Sequence, residues 1–305
     1  MKMLFQEIQA HEYEARFVSI RRLADLKSEI ESRHEQGMFN AEFYQERLTR
    51  FEFQPPADMP EAQSILVLAK PTPQTGVVFH WKGESKMLIL PPTYVGYTAL
   101  PPQIESWLNE ILNPLGHRAV KAMRLPLKPL AVRSGLADYG RNNITYVAGM
   151  GSFHHLFAFF TDIPTEQDEW REPRMLGRCK NCRACIIKCP TSAIGEDRFL
   201  LHAERCLVFH NEKPAHVPFP AWIDPSWHNS IFGCMICQRY CPEDKKVKDW
   251  IETRAEFSCQ ETFLLLNGSS RDDLPAATIA KLDMLELTDS LDILPRNLGV
   301  LLDKD

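Results

Sequence analysis

The first 178 residues of this 305-residue chain contain no cysteine, and nowhere does the chain hold a long unbroken apolar run. The second absence excludes a transmembrane helix, which needs roughly 18 or more consecutive apolar residues. Basic charge is not in excess either: 35 Lys and Arg stand against 40 Asp and Glu, a formal net charge of −5. That balance gives no reason to expect a nucleic-acid partner, because phosphate binding calls for a concentrated basic surface. Arg47 with Arg50, and Lys245, Lys246 and Lys248, read as solvated faces. The first ten residues lack a basic start with an apolar segment behind it, and Arg21-Arg22 is followed by charged residues rather than apolar ones. No secretory or twin-arginine signal is read there, so the expected location is the cytoplasm, with no membrane partner.

The missing cysteines make the later ones informative. All nine lie beyond residue 178, and eight fall between Cys179 and Cys241. Such crowding reads as metal ligation rather than as the disulfide framework of a secreted protein. Cys179, Cys182, Cys185 and Cys189, closed by Pro190, follow the spacing in which three thiolates grip one 4Fe-4S cubane and the fourth reaches a second. Cys234, Cys237 and Cys241, closed by Pro242, form an array one ligand short, and Cys206 is its simplest completion. The crossed assignment places Cys179, Cys182, Cys185 and Cys241 on one cluster and Cys189, Cys206, Cys234 and Cys237 on the other. A pair of four-thiolate zinc sites is the competing reading, but zinc needs no three-cysteine run finished by Cys-Pro. The small residues of Thr191-Ser192-Ala193 let backbone N–H groups approach sulfide and tune the potential. Trp227, His228, Asn229 and His210 are placed to shield or hydrogen-bond a cluster. Cys259, outside both arrays, is expected to be a free buried thiol.

Upstream, residues 14–52 read as helical, with Phe17, Ile20, Leu23, Leu26 and Ile30 at steps of three and four. Residues 64–69 form a continuous apolar run of strand length, and 75–81 with 85–90 flank Lys82-Gly83-Glu84 as a hairpin. Helical periodicity returns over 102–113, and 146–160 mixes glycine with aromatics in the manner of a strand beside a ligand. A polar, proline-terminated stretch at 165–173 marks a boundary. Three segments are expected: 1–170 as a cofactor domain, 171–250 as the cluster domain, and 251–305 as an extension packing on the body.

Four stretches together carry a resemblance: the helix over 23–37 leading to 64–71, the run 134–143 (Ser-Gly-Leu-Ala-Asp-Tyr-Gly-Arg-Asn-Asn), the run 160–164 (Phe-Thr-Asp-Ile-Pro), and the cysteine arrays with Arg205-Cys206 between them. They resemble the epoxyqueuosine reductase and reductive dehalogenase superfamily. The resemblance implies an α+β fold, a nitroreductase-like α/β corrinoid-binding domain followed by a bacterial-ferredoxin-like double 4Fe-4S domain. It implies cobalamin or another corrinoid beside the two 4Fe-4S clusters. A flavin is the alternative, since this scaffold is related to flavin-binding nitroreductases. By the same resemblance Gly135, Gly140, Arg141 and Asn142 line the corrinoid site, where backbone without a Cβ can approach a flat macrocycle. Gly149, Gly151 and Ser152 would approach the macrocycle or its tail, and His154 the cobalt or a substrate. Adjacent His154 and His155 face opposite ways in a strand, so only one could do so. Phe153, Phe157, Phe159 and Phe160 read as core.

One departure stands out. The family places an aspartate acid about fourteen residues before the glycine matching Gly135, and here that stretch, 121–128, holds no carboxylate. Tyr139, Tyr146, Lys121 and Arg124 are the candidates for catalytic work. The expected function is iron–sulfur oxidoreductase chemistry: a low-potential donor such as ferredoxin or flavodoxin reduces the clusters, these reduce a bound corrinoid, and Co(I) reduces a small substrate. The alternatives are an electron-transfer protein activating a separate corrinoid protein, and a tRNA-modifying epoxyqueuosine-reductase-like enzyme without the usual aspartate.

Overall fold

The computed structural model describes residues 2–165 and 168–303; Glu166 and Gln167, within the expected boundary stretch, lie outside the described residues. The strands among these are β1 (Glu14–Ser19), β2 (Ser64–Pro71), β3 (Gln74–Trp81), β4 (Glu84–Leu90), β5 (Ala119–Lys121), β6 (Asp138–Tyr139), β7 (Thr145–Tyr146), β8 (His154–Thr161) and β9 (Ile251–Phe257). The chain divides into two compact units that cut across the three expected segments. Unit 1 comprises 1–71, 98–183 and 196–201, and unit 2 comprises 72–97, 184–195 and 202–305. No helix among the described residues is long and apolar enough to cross a membrane.

Unit 1 is built on an antiparallel sheet in the order β1-β2-β8-β5. The unbroken apolar run of β2 follows from burial on both faces. Ile65, Val67 and Ala69 enter one core with Leu26, Leu130 and Val132, while Leu66 and Leu68 enter another with Ile104 and Leu108 of the helix Leu100–Leu112. β8 is shared in the same way, with Ala158 and Phe160 on one side and Phe157 and Phe159 on the other. Residues 14–52 are not one helical region. Residues 14–19 are the edge strand β1, paired with β2 from Glu14 opposite Ala69 to Ser19 opposite Ser64, and the helix begins only at Arg22 and ends at Glu35. Pairing with an exposed strand edge outweighed a helical period that happened to continue across the turn.

Unit 2 carries the sheet β4-β3-β9. The hairpin β3-β4 turns through Lys82 (φ 51°) and Gly83 (φ 86°), two left-handed residues that match the twist of the strands they join. β9 lies parallel to β3 on its other edge, with Phe79 and Phe257 stacked at 5.0 Å. The extension expected over 251–305 thus supplies a strand, and with it the apolar face of the helix Leu294–Leu302. Cys259 opens the helix Cys259–Leu266 and is exposed, because it sits in the first turn, beside the Ser258 and Glu261 capping box.

The last helix also brings Arg296 over the segment that follows Cys206. Its guanidinium donates to the carbonyls of Val217 (2.6 Å), Lys213 (2.9 Å), Pro214 (3.2 Å), Asn211 (3.2 Å) and His210 (3.3 Å), and lies 4.3 Å over the Phe219 ring. Burial holds its pKa below the ordinary arginine value. Replacement by leucine strands several part-buried carbonyls, each at a cost of about 1 kcal/mol. Arg296→Leu is therefore expected to destabilise unit 2 by about 3 kcal/mol or more, read by hydrogen exchange as lost protection over 202–232 while β2 and β8 keep theirs.

Candidate functional site

None of the nine cysteines is in a disulfide, and the eight of the two arrays are half-buried. The division between units falls inside the first array: Cys179 and Cys182 belong to unit 1 and the other six to unit 2. Within unit 2 the thiols of Cys206, Cys234 and Cys237 are all pushed up, Cys206 to about 12, first by burial and then, for Cys206 and Cys237, by the charge of Cys234. Cys189 adds to the rise at all three. Cys185 adds to the rise at Cys237 as well, so cysteines of both arrays act on this group. Among the described residues, no three His, Cys, Asp or Glu side chains close around a single metal-ion position. A cubane makes no such demand, since each thiolate binds its own iron corner.

The turn into Cys234 is held from three parts of unit 2. Gly233 has a φ of +70°, and a Cβ there would fall 2.8 Å from the Tyr94 hydroxyl and 2.9 Å from Pro91. The Asn211 side-chain amide takes both backbone groups of Gly233, accepting from its N–H at 3.1 Å and donating to its carbonyl at 2.6 Å. Asn297 in turn donates to the carbonyls of Asn211 (2.8 Å) and Ile231 (2.9 Å). The Ile231 N–H bonds to the Ile89 carbonyl of β4 at 2.8 Å, and the Tyr94 hydroxyl donates to Glu212. Asn211, Gly233, Asn297, Arg296 and Tyr94 belong to no cysteine motif and were not among the sequence candidates. The one signal was Arg296-Asn297 set within an otherwise apolar helix.

Backbone groups of Val208 and Ile236 hydrogen-bond Cys206 and Cys234, and side-chain donors reach two of the sulfurs as well. Asn229 Nδ2 lies 3.3 Å from Cys234 Sγ, and Thr191 Oγ1 lies 3.5 Å from Cys189 Sγ. His210 serves the loop instead, with Nε2 at 2.8 Å from the Glu204 carbonyl and its edge against Trp222.

In unit 1 the residues carried over as a corrinoid lining form one network around β6 and β7. A Cβ on Gly140 would meet Asn142 and the Tyr146 ring at 2.4 Å, so glycine is needed here for the chain's own packing. Buried Asn142 donates to the Tyr146 hydroxyl at 3.0 Å. Gly135 (φ +78°) ends the helix Leu127–Arg133, a position that favours glycine without a ligand. Arg141 Nη2 donates to the Cys179 carbonyl at 2.7 Å, tying this hairpin to the start of the first array, and its buried Nε has no partner. His154 is buried with both ring nitrogens engaged, Nε2 with Thr145 Oγ1 and Nδ1 with the Gly151 carbonyl, each at 3.0 Å. Ser152 is buried beside it, and Gly149 has open space where a side chain would stand. These groups are engaged with one another, and both ring nitrogens of His154 already have partners.

The catalytic candidates separate. Tyr139 and Tyr146 are buried, and burial, helped by Glu29, pushes the Tyr139 phenol well up. Lys121 and Arg124 are instead in ion pairs on the surface, Lys121 with Glu105 at 3.0 Å and Arg124 with Glu52.

Residues 178–244 match the protein-family model described as a 4Fe-4S double cluster binding domain. Epoxyqueuosine reductase from Staphylococcus aureus is 24% identical over 232 residues, 73% of this chain and 58% of that protein. Epoxyqueuosine reductase from Synechococcus sp. is 34% identical over 141 residues, 46% of this chain and 42% of that protein. The resemblance is to epoxyqueuosine reductases. The chain spans about half the length of these curated relatives. Among solved structures, epoxyqueuosine reductase from Streptococcus thermophilus superposes with a TM-score of 0.67 at 17% identity, covering 99% of this chain and 80% of that one. An epoxyqueuosine reductase solved with an epoxyqueuosine-modified tRNA-Tyr stem loop superposes with a TM-score of 0.61 at 20% identity, over 81% of this chain and 65% of that one. The chain therefore has the epoxyqueuosine-reductase fold and a double 4Fe-4S domain.

Gly233→Ala sets a Cβ against Tyr94 and Pro91 at a left-handed φ. We expect the variant to retain about half of the wild-type iron and acid-labile sulfide, through loss of the cluster served by Cys234. His154 gives a pH dependence of known sign. Burial lowers its pKa from 6.5 to about 4, so below 6.5 the unfolded chain takes up a proton that the folded chain refuses. The stability of unit 1 falls as pH drops from 6.5 to about 4 and levels below that, by up to about 3 kcal/mol. Denaturation of His154→Gln across the same range is expected to lack this slope.

Proposed function

We propose that the chain is an iron–sulfur oxidoreductase of the epoxyqueuosine-reductase kind, passing electrons from a low-potential carrier through two 4Fe-4S clusters to a modified nucleoside in RNA. The observation that carries this reading is the extent of the likeness: 232 residues align with the Staphylococcus aureus relative, so it is not confined to the cluster domain at 178–244. Cys189, Cys206, Cys234 and Cys237 would hold one cluster, and Cys179, Cys182, Cys185 and Cys241 the other. The clusters supply one-electron chemistry, and reduction of an epoxide to an alkene with release of water takes two electrons and two protons.

Two expectations change with this proposal. A net charge of −5 argued against nucleic acid, yet the likeness to a protein solved with a tRNA stem loop favours RNA as substrate over a free small molecule. Phosphate contacts depend on local charge, which a negative total does not forbid. The corrinoid, for its part, stands on the resemblance alone, since the residues carried over for it have other partners.

Lys121 sits where the resemblance expects the aspartate acid, at the end of β5, with Glu105 beside it. In this proposal its ammonium is the proton donor, and Glu105 holds it in place. A second reading follows from the same residue: delivery of electrons to a separate corrinoid protein requires no acid at all. Both are tested by offering anaerobically reduced protein, supplied with cobalamin, a stem loop carrying the epoxide and following the nucleoside by mass spectrometry. Loss of one oxygen atom is the expected result, and Lys121→Ala should slow it about 10²-fold or more with cluster content unchanged. Reduced clusters with an untouched nucleoside would overturn the enzyme reading in favour of the electron-transfer one.

A further inference from the structure

A buried cubane is hard to reduce. Extra negative charge in a low-dielectric interior is disfavoured. Protein groups that donate hydrogen bonds to the ligand sulfurs oppose this, because sulfur carries more negative charge in the reduced state.

We propose that Asn229 and Thr191 are positioning residues that raise the reduction potential of the Cys189, Cys206, Cys234 and Cys237 cluster by donating to two of its four sulfurs. The inference rests on the cluster assignment proposed above but not on the substrate. The orientation of the Asn229 amide is fixed by its neighbours. Oδ1 accepts from the Met235 N–H at 2.8 Å, and Nδ2 donates to the Trp227 carbonyl at 3.0 Å. Turning the amide over would set N–H against N–H and oxygen against oxygen, so the atom 3.3 Å from Cys234 Sγ is the nitrogen, with its second hydrogen available. For Thr191 the direction follows from the ligand. Once Cys189 is a thiolate on iron, the only proton in the 3.5 Å contact is the one on the threonine hydroxyl. Each donor is local to the cysteine it serves, Thr191 two residues after Cys189 and Asn229 five before Cys234. Both fall on the same cluster of the crossed assignment.

The sharpest substitution is Asn229→Asp. It keeps an oxygen to accept from Met235, and so keeps the loop, but replaces the N–H facing sulfur with a carboxylate oxygen. Thr191→Val removes the hydroxyl at nearly constant shape. The experiment is a potentiometric titration of anaerobically reconstituted full-length protein followed by electron paramagnetic resonance, after iron and sulfide analysis of each sample. The expected result is that each variant shifts one of the two midpoint potentials to a more negative value and leaves the other in place, Asn229→Asp by more than Thr191→Val. Two intact clusters with both midpoints unmoved in the variants would overturn the inference. If Asn229→Asp fails to hold its cluster, Thr191→Val decides by the same criterion. A wild-type protein that does not assemble two cubanes overturns the cluster assignment itself, an outcome the iron and sulfide analysis separates from the first.

Discussion

Gathering thiolates in a dry interior is the constraint on which the rest of unit 2 depends. Burial pushes the thiols of Cys206, Cys234 and Cys237 up and the charge of neighbouring cysteines adds to the rise, so without iron the arrangement favours neutral thiols or a more open chain. Iron reverses the balance, and cluster assembly becomes part of the folding free energy of the unit. What the polypeptide contributes is a set of fixed backbone turns that leave the sulfurs nowhere else to go. Asn211 imitates a strand partner for Gly233, Asn297 secures Asn211, and Arg296 gathers the carbonyls between them. Asn211 and Asn297 are buried and bonded, and each would be costly if left alone.

That scaffold is assembled from remote parts of the chain. The hairpin over 72–97 and the tail over 251–305 meet through β3 and β9 and reach the cluster loop through Ile89, Tyr94 and Asn297. This is why the cysteine arrays were legible in the sequence and the scaffold around them was not. Cysteine spacing is local, fixed by the reach of a few residues around a cubane, and so is the Lys82-Gly83 turn. The allocation of the hairpin to the cluster unit depends on a parallel pairing across more than a hundred intervening residues, and no periodicity encodes it. Residues 14–19 show the converse: a local helical period was present, and the open edge of β2 decided the outcome.

The run from Gly135 to Asn143 marks a different limit. A glycine can be required because a ligand approaches the backbone or because the protein's own side chains do, and the sequence is the same in both cases. Here Gly140 is filled from the inside by Asn142 and Tyr146, and Gly135 is a helix terminus. Arg141 joins the two parts of the story. It lies in this hairpin yet bonds to the carbonyl of Cys179, so the most recognisable upstream motif is mechanically tied to the first ligand of the arrays.

Under the proposed reading, a lysine where the resemblance expects a carboxylic acid would alter the electrostatics of proton delivery rather than simply remove it. A carboxylic acid is neutral before it donates and leaves a negative charge behind; an ammonium is positive before it donates and leaves none. A reaction that builds negative charge on a departing oxygen is assisted earlier by the ammonium, through attraction, and later by its proton. Glu105, 3.0 Å from Lys121 Nζ, would temper that attraction. In an RNA-directed enzyme the same positive charge would also meet phosphate, so one residue would serve binding and proton transfer together.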